Sequence, residues 1–165
     1  MPQRRPSAKR ARSRVESRTD WLRLDRQLCF ALYSASLAMT KLYKPLLDPL
    51  GLTYPQYLVM LVLWEGDDIT VSQLGERVAL DSGTLTPLLK RLEASKLVLR
   101  LRDAADERRV LLQLTPAGRA LKTKALMVPE QVACASGCEL SELAALTTRL
   151  KALRDQITAS NPRPA

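Results

Sequence analysis

The sequence predicts a mainly α-helical chain carrying a small two- or three-stranded antiparallel sheet, and three observations support that class. Apolar residues recur at helical spacing through most of the chain after residue 19. Between Thr70 and Ser95 a short capped helix, a brief turn and a second helix follow one another, the second with small polar residues at its start and bases in its body. Directly afterwards the period changes to two strand-like runs separated by a charged turn. In that order the elements make a helix-turn-helix with a wing, flanked by terminal helices.

Composition narrows the chemistry. The 165 residues suit one domain or a helical dimer subunit able to bury a real core. There is no histidine, which excludes a Ser-His-Asp triad, an imidazole general base and His-ligated zinc or haem. Three cysteines are too few for a disulfide scaffold, so a reducing, cytoplasmic setting is expected. A zinc site built from cysteine alone needs four thiolates, so neither metal nor cofactor is expected. No apolar run approaches the roughly 18 residues that span a bilayer, and no membrane association is expected.

The formal charge of +9 is unevenly placed. Residues 1–18 hold seven bases and one acid, with two prolines, three serines and Val15 as the only sizeable apolar side chain. Such a segment cannot bury enough surface to order itself, and it reads as a disordered basic tail that either adds sequence-independent phosphate affinity or only solubilises. From Asp20, taken as N-cap, Leu24, Leu28, Ala31, Leu32, Ala35, Met39 and Leu42 mark a helix that Pro45 should stop. Cys29, Phe30, Tyr33 and Leu37 fall on its other faces, so it is apolar on most sides and reads as an intersubunit surface. Thr53 caps a second helix to about Trp64, with Pro55 in its first turn.

Thr70 caps the short helix Val71 to Val78, and a turn through Ala79, Leu80 and Asp81 leads into the next, Ser82 to Ser95. Leu85, Leu88, Leu89 and Leu92 form its inner stripe, leaving Ser82, Thr84, Thr86, Lys90 and Arg91 on outer faces as candidate major-groove contacts. Ser82 reads equally as a helix cap. Residues 97–102 and 109–114 are the strands of the wing. Thr115-Pro116 opens a helix to about Val132, and Leu143, Leu146, Leu150, Leu153 and Ile157 repeat at steps of 3 and 4 in a last one. The reading therefore divides the chain into the tail (1–18), an N-terminal dimerisation helix (19–50), a winged helix-turn-helix (51–114) and C-terminal dimerisation helices (115–160).

From about Asp20 to Ile157 this order resembles the MarR family of bacterial transcription regulators. The wing Asp106-Glu107-Arg108-Arg109-Val110 and the following Leu114-Thr115-Pro116-Ala117-Gly118 are similar to that family's wing and fifth helix. The run from Leu80 to Glu93 is similar to the recognition helix of its organic-hydroperoxide-sensing (OhrR) group, which the arginine-rich tail is not part of. The resemblance implies a homodimeric repressor on double-stranded operator DNA, with an organic hydroperoxide as inducer. It implies Cys29 as the redox-sensing thiol, Tyr43 and Tyr54 as its tyrosine partners, and Cys134 of the other subunit as the resolving thiol, with Cys138 as competitor. It also implies that Arg108 enters the minor groove, oriented by Asp106. Arg109, beside it, reads as a phosphate contact or a strand edge.

Read from spacing alone, a cysteine on an apolar helix is more often an inert core filler. Arg26, one turn before Cys29, favours a thiolate, the form that peroxide chemistry needs. Three other readings stay open: a regulator answering to a small non-oxidising ligand, a thiol peroxidase, and a DNA-coating protein driven by the tail.

Overall fold

A computed structural model describes residues 18–103, 106 and 109–160. The tail expected at 1–18 (apart from Arg18) and the wing-tip Arg108 lie outside the described residues. By internal contacts the chain falls into two units, one up to Ala38 and one from Met39 onward.

The first unit begins in 3-10 turns at Arg18–Leu22 and Leu24–Arg26, and the helix α1 (Leu28–Leu47) starts only at Leu28. The expected start at Asp20 is thus corrected. Arg23 and Gln27 hold extended backbone angles, and the Gln27 amide donates to the carbonyls of Trp21 and Arg23, drawing off groups that a continuous helix would pair. Pro45 does not stop α1 either. It sits in the last turn, where the single lost N–H is tolerated, and the chain leaves the helix through a short 3-10 turn ending at Gly51, whose φ is +66°.

The second unit continues with α2 (Tyr54–Glu65), held by a Thr53/Gln56 capping box. Seven residues of α2 are buried, so it forms the spine of the core. A two-residue strand β1 (Ile69–Thr70) precedes α3 (Val71–Val78), and α4 (Ser82–Ala94) follows after a left-handed Ala79. The wing strands are β2 (Val98–Arg102) and β3 (Val110–Leu114). All three strands form one antiparallel sheet in the order β1-β3-β2, with Arg100 opposite Leu112 and Leu112 opposite Ile69. The core joins Val59, Met60 and Leu63 of α2 to Leu74, Leu85, Leu89, Leu92, Val98 and Leu112, a layer of helices on one face of the sheet.

The helix expected from Pro116 to Val132 is two helices, α5 (Pro116–Ala125) and α6 (Val128–Ser136). Pro129 stands in the first turn of α6, where its missing N–H costs least, and Leu126 and Met127 join the two. Gly137, at φ +67°, ends α6, and α7 (Leu140–Ser160) completes the chain. No residue of α7 is buried within one chain, and Leu146, Leu150 and Ile157 are about half exposed.

The start of α5 is knotted onto the wing. Thr115 caps α5 through its hydroxyl, which also donates to the Lys96 carbonyl at 2.7 Å. The Trp64 indole donates to the Gly118 carbonyl at 2.9 Å, and Lys122 donates to the Trp64 carbonyl at 2.8 Å. Asp67 accepts the Leu114 N–H at 2.8 Å and pairs with Arg119 at 2.7 Å. The Leu114 amide, and then Arg119, hold the Asp67 carboxyl below the usual carboxylate range. Among the described residues no single helix is long and apolar enough to cross a membrane.

Candidate nucleic-acid interface and thiol site

The helix pair α3–α4 owes its geometry to short-range chemistry. Thr70 and Gln73 form a capping box at the start of α3. Gly75 is buried where a Cβ would stand 3.0 Å from the Leu80 carbonyl, so the turn closes tightly over α3. At the start of α4 the cap is Asp81, not Ser82: its carboxylate accepts from the Thr84 N–H at 2.9 Å and from the Thr84 hydroxyl at 3.0 Å. Those two bonds, the amide first, lower the Asp81 pKa.

With the cap assigned to Asp81, the outer face of α4 can be sorted by what each group has left. Ser82, Thr84, Lys90 and Arg91 are exposed, and Thr86 is half-buried. The Thr84 and Thr86 hydroxyls donate within the helix, the latter to the Ser82 carbonyl at 2.8 Å, so toward a ligand each offers lone pairs only. Ser82, Lys90 and Arg91 are left, among the described residues, without a side-chain hydrogen bond or ion pair. Leu85, Leu88, Leu89 and Leu92 point the other way into the core, as their spacing requires.

In the wing, Asp106 pairs with Arg109 at 3.5 Å, and its carbonyl accepts the Arg109 N–H at 2.8 Å. Arg100 on β2 and Arg109, just before β3, also line a cleft against the start of α3. Sequence reasoning did not single out Arg100: the alternation of β2 sets it with Arg102 opposite Leu99 and Leu101, whereas the structure leaves those leucines about half exposed and Arg100 half-buried on the side of Val98.

The three cysteines are free thiols. Cys29, the second residue of α1, is exposed; so is Cys134 in α6, while Cys138 is half-buried and sits 3.7 Å from the Ser136 carbonyl. Cys29 belongs to the first unit, and Tyr43, Tyr54, Cys134 and Cys138 belong to the second.

Tyr43 and Tyr54 are brought together, with ring centroids 4.8 Å apart. Their cluster includes two residues that the sequence reading passed over: Tyr57, 5.9 Å from Tyr43, and Trp64, 6.2 Å from Tyr57. The signal was present, since Tyr54, Tyr57 and Trp64 recur on one face of α2 at steps of 3 and 7. Burial pushes the Tyr43 phenol up to about 12 and raises Tyr54 and Tyr57 as well. All three hydroxyls therefore stay protonated and able to donate at neutral pH. Among the described residues no group of His, Cys, Asp and Glu is arranged to hold a metal ion.

Comparison with known proteins places this geometry in a group. The family described as "Transcriptional regulator SarA/Rot" matches residues 41–125. The organic hydroperoxide resistance transcriptional regulator of Bacillus subtilis is 49% identical over 146 residues, covering 86% of this chain and 99% of that protein. The HTH-type transcriptional regulator TtmR of Methylorubrum extorquens is 51% identical over 142 residues, covering 86% of this chain and 73% of that protein. Among solved structures, reduced AbfR bound to DNA superposes with a TM-score of 0.72 at 33% identity, over 85% of this chain and 96% of that one. AbfR, from Staphylococcus epidermidis, has also been solved with a disulfide formed; that structure aligns at 32% identity with a TM-score of 0.57, over 88% of this chain and 97% of that one.

Proposed function

This chain belongs to the winged-helix transcriptional regulators of the MarR type, in the group of the organic hydroperoxide resistance regulators, and on that footing we propose that it is a redox-sensing repressor released from its operator when Cys29 is oxidised by an organic hydroperoxide. It binds DNA, like its relatives, and it is a regulator, not an enzyme. The observation that carries the redox reading is the exposed Cys29 thiol, standing free at the start of an apolar helix in a chain so close to a hydroperoxide-resistance regulator.

The chemistry follows the thiol oxidation ladder. The Cys29 thiolate attacks the distal peroxide oxygen; an S–O bond forms, the O–O bond breaks, and the alkoxide leaves as alcohol after taking a proton. Cys29 is then a sulfenic acid, with sulfur oxidised and the peroxide reduced. Tyr43 and Tyr54, protonated donors, supply hydrogen bonds to the sulfur anion. The Cys134 thiolate of the partner subunit attacks the sulfenic sulfur, forming the disulfide and releasing water; Cys138 is the competing thiol.

The homodimer is built on α1, α5, α6 and α7: Leu28 and Leu37 of α1, Leu126 in the joint between α5 and α6, and Leu146, Leu150 and Ile157 of α7 are exposed in the single chain. Two recognition helices of one dimer read half-sites about one DNA turn apart. A disulfide that moves the dimer layer changes their separation and ends simultaneous docking. In this scheme Ser82, Thr84, Thr86, Lys90 and Arg91 face the major groove, Arg108 the minor groove, and Asp106 orients the wing. The protein works in the cytoplasm, where thiols are kept reduced until an oxidant arrives.

The test compares DNA affinity of wild type and Cys29→Ser before and after one equivalent of an organic hydroperoxide. Release of wild type alone supports the sensor; release of both, or of neither, overturns it. A second reading has one observation in its favour, an apolar groove of about 440 Å³ lined by Tyr57, Leu61, Trp64, Lys122 and Leu126. A small non-oxidising ligand seated there would induce the Cys29→Ser protein as well as wild type.

A further inference from the structure

Three of the four tyrosines and one of the two tryptophans form one continuous file of rings. It runs from Trp64 through Tyr57 to Tyr43 and Tyr54, with successive centroids 6.2, 5.9 and 4.8 Å apart, each within the contact range of aromatic pairs. The file is graded in burial. Tyr57 is 3% exposed and Trp64 8%, whereas Tyr43 and Tyr54 are half-buried.

That gradient matters to one-electron chemistry. A phenol that gives up an electron at neutral pH must shed its proton too, because the phenol cation is a very strong acid. At Tyr57 burial leaves the proton nowhere to go, while at Tyr43 and Tyr54 water can take it. An indole radical at Trp64 is therefore discharged by an electron drawn along the file, and the oxidising equivalent comes to rest on the half-buried pair. The pair is also placed to react with itself. Its rings, the closest in the file, are tilted 48° and hang from two helices joined by a short turn, Tyr43 from α1 and Tyr54 from the first residue of α2.

We propose that Tyr43 and Tyr54 are a radical-coupling site, joined as an intrachain dityrosine by alkoxyl radicals, the one-electron products of organic hydroperoxides. Two alkoxyl radicals each take one hydrogen atom, directly or through the file, and leave as alcohol. The two phenoxyl radicals join by a carbon–carbon bond ortho to their oxygens, and the hydrogens on those carbons move to the oxygens. In balance the protein loses two hydrogen atoms and two radicals are reduced. The product ties α1 to α2 and withstands the thiols that open a disulfide. The site uses the phenols that the redox reading sets beside Cys29, but it needs no cysteine, so each reading stands or falls without the other.

The test treats full-length wild type, and a Cys29→Ser/Cys134→Ser/Cys138→Ser variant, with cumene hydroperoxide and ferrous iron, which together make alkoxyl radicals. Both proteins should gain dityrosine emission in a chain of monomer size. Cleavage before Asp48 separates Tyr43 from Tyr54, so mass spectrometry should find those two fragments linked and two hydrogens lighter than their sum. Tyr43→Phe and Tyr54→Phe keep a ring in place and should each abolish that link, and Trp64→Phe should lower its yield. In urea the rings disperse, and links should scatter among all four tyrosines. The proposal is overturned if folded protein forms no such link while a tyrosine dipeptide couples in a parallel reaction. It is equally overturned if the main link runs to Tyr33 or Tyr57, joins two chains, or is as frequent in urea. An unchanged yield in folded Trp64→Phe overturns the route along the file.

Discussion

Replacing Gly118 by alanine sets two known effects against each other. Gly118 lies inside α5, where alanine is the better helix former by about 1 kcal/mol, so propensity alone predicts a more stable protein. The surroundings predict the reverse. A Cβ there would stand 2.1 Å from the Leu97 carbonyl oxygen, 3.1 Å from its carbon and 3.2 Å from Leu114 Cδ2. Carbon and oxygen rest at about 3.3–3.6 Å even in close contacts, so α5 or the Leu97 peptide must move by more than 1 Å. Neither is free to do so. The Leu97 carbonyl accepts the Thr115 N–H at 3.1 Å, the Gly118 N–H donates to the Thr115 hydroxyl at 2.9 Å, and the Gly118 carbonyl accepts from Trp64. Overpacking of this kind costs about 1–3 kcal/mol, and each hydrogen bond broken adds about 1 kcal/mol. Set against the propensity gain, the net loss is about 2–4 kcal/mol, a fall in Tm of roughly 5–15 °C for a chain of this size. The assay is thermal unfolding followed by circular dichroism at one fixed protomer concentration, with Gly66→Ala as control. Nothing lies within 4 Å of a Cβ at Gly66, and its φ of −176° suits any residue, so the control should unfold within a degree or two of wild type. A Gly118→Ala protein as stable as wild type, or more so, would refute the close approach of α5 to the wing.

Three further outcomes follow from the same geometry. Asp67, its carboxyl held low by the Leu114 amide and Arg119, contributes stability above the ordinary carboxylate range that is lost as pH falls through its lowered pKa. Asp67→Asn should therefore lower Tm at pH 7 by roughly 2–4 °C, and the gap should close in acid; a gap that widened in acid would contradict the assignment. The Tyr43 phenol, raised to about 12, adds stability that is complete below pH 10 and drains away as pH climbs through 12. Alkaline ultraviolet titration should resolve one of the four tyrosines ionising well above the rest, and a single transition near 10 would count against the cluster. Finally, Leu150→Asp on the exposed face of α7 should shift sedimentation from dimer to monomer and weaken DNA binding, with the circular dichroism spectrum little changed. An unaltered dimer would remove α7 from the proposed interface.

The helix pair was the most legible part of the chain because its boundaries are written in local chemistry. Thr70 with Gln73, and Thr115 with Pro116, fix their helix starts whatever surrounds them. The leucine stripe of α4 was equally readable, since one face must be buried. Reading failed where long-range partners decide. Asp20 looks like a cap, but the competing Gln27 bonds to Trp21 and Arg23 are visible only once the turns are folded. Two residues of β1 are too few to show a period and become a strand only against Leu111 and Leu112. The division of α5 from α6 had a legible trace in Pro129, which suits a helix start better than an interior. At the site, cysteines and tyrosines were picked out singly. That Tyr43 meets Tyr54 and Tyr57 depends on the chain reversing through Asp48–Leu50, which no helical period encodes.

The bond from Trp64 to Gly118 has an optical consequence. The chain has two tryptophans: Trp21, 62% exposed in the first unit, and Trp64, 8% exposed and tied by its indole N–H to α5. Their emission therefore differs in colour, the wet indole redder than the dry one. With Trp21 replaced by phenylalanine, the remaining light comes from the joint between the wing and α5 alone, excited in part by the tyrosine rings packed beside it. The molecule thus carries a built-in lamp at the joint between the wing and α5, and its spectrum can be followed in real time without a label.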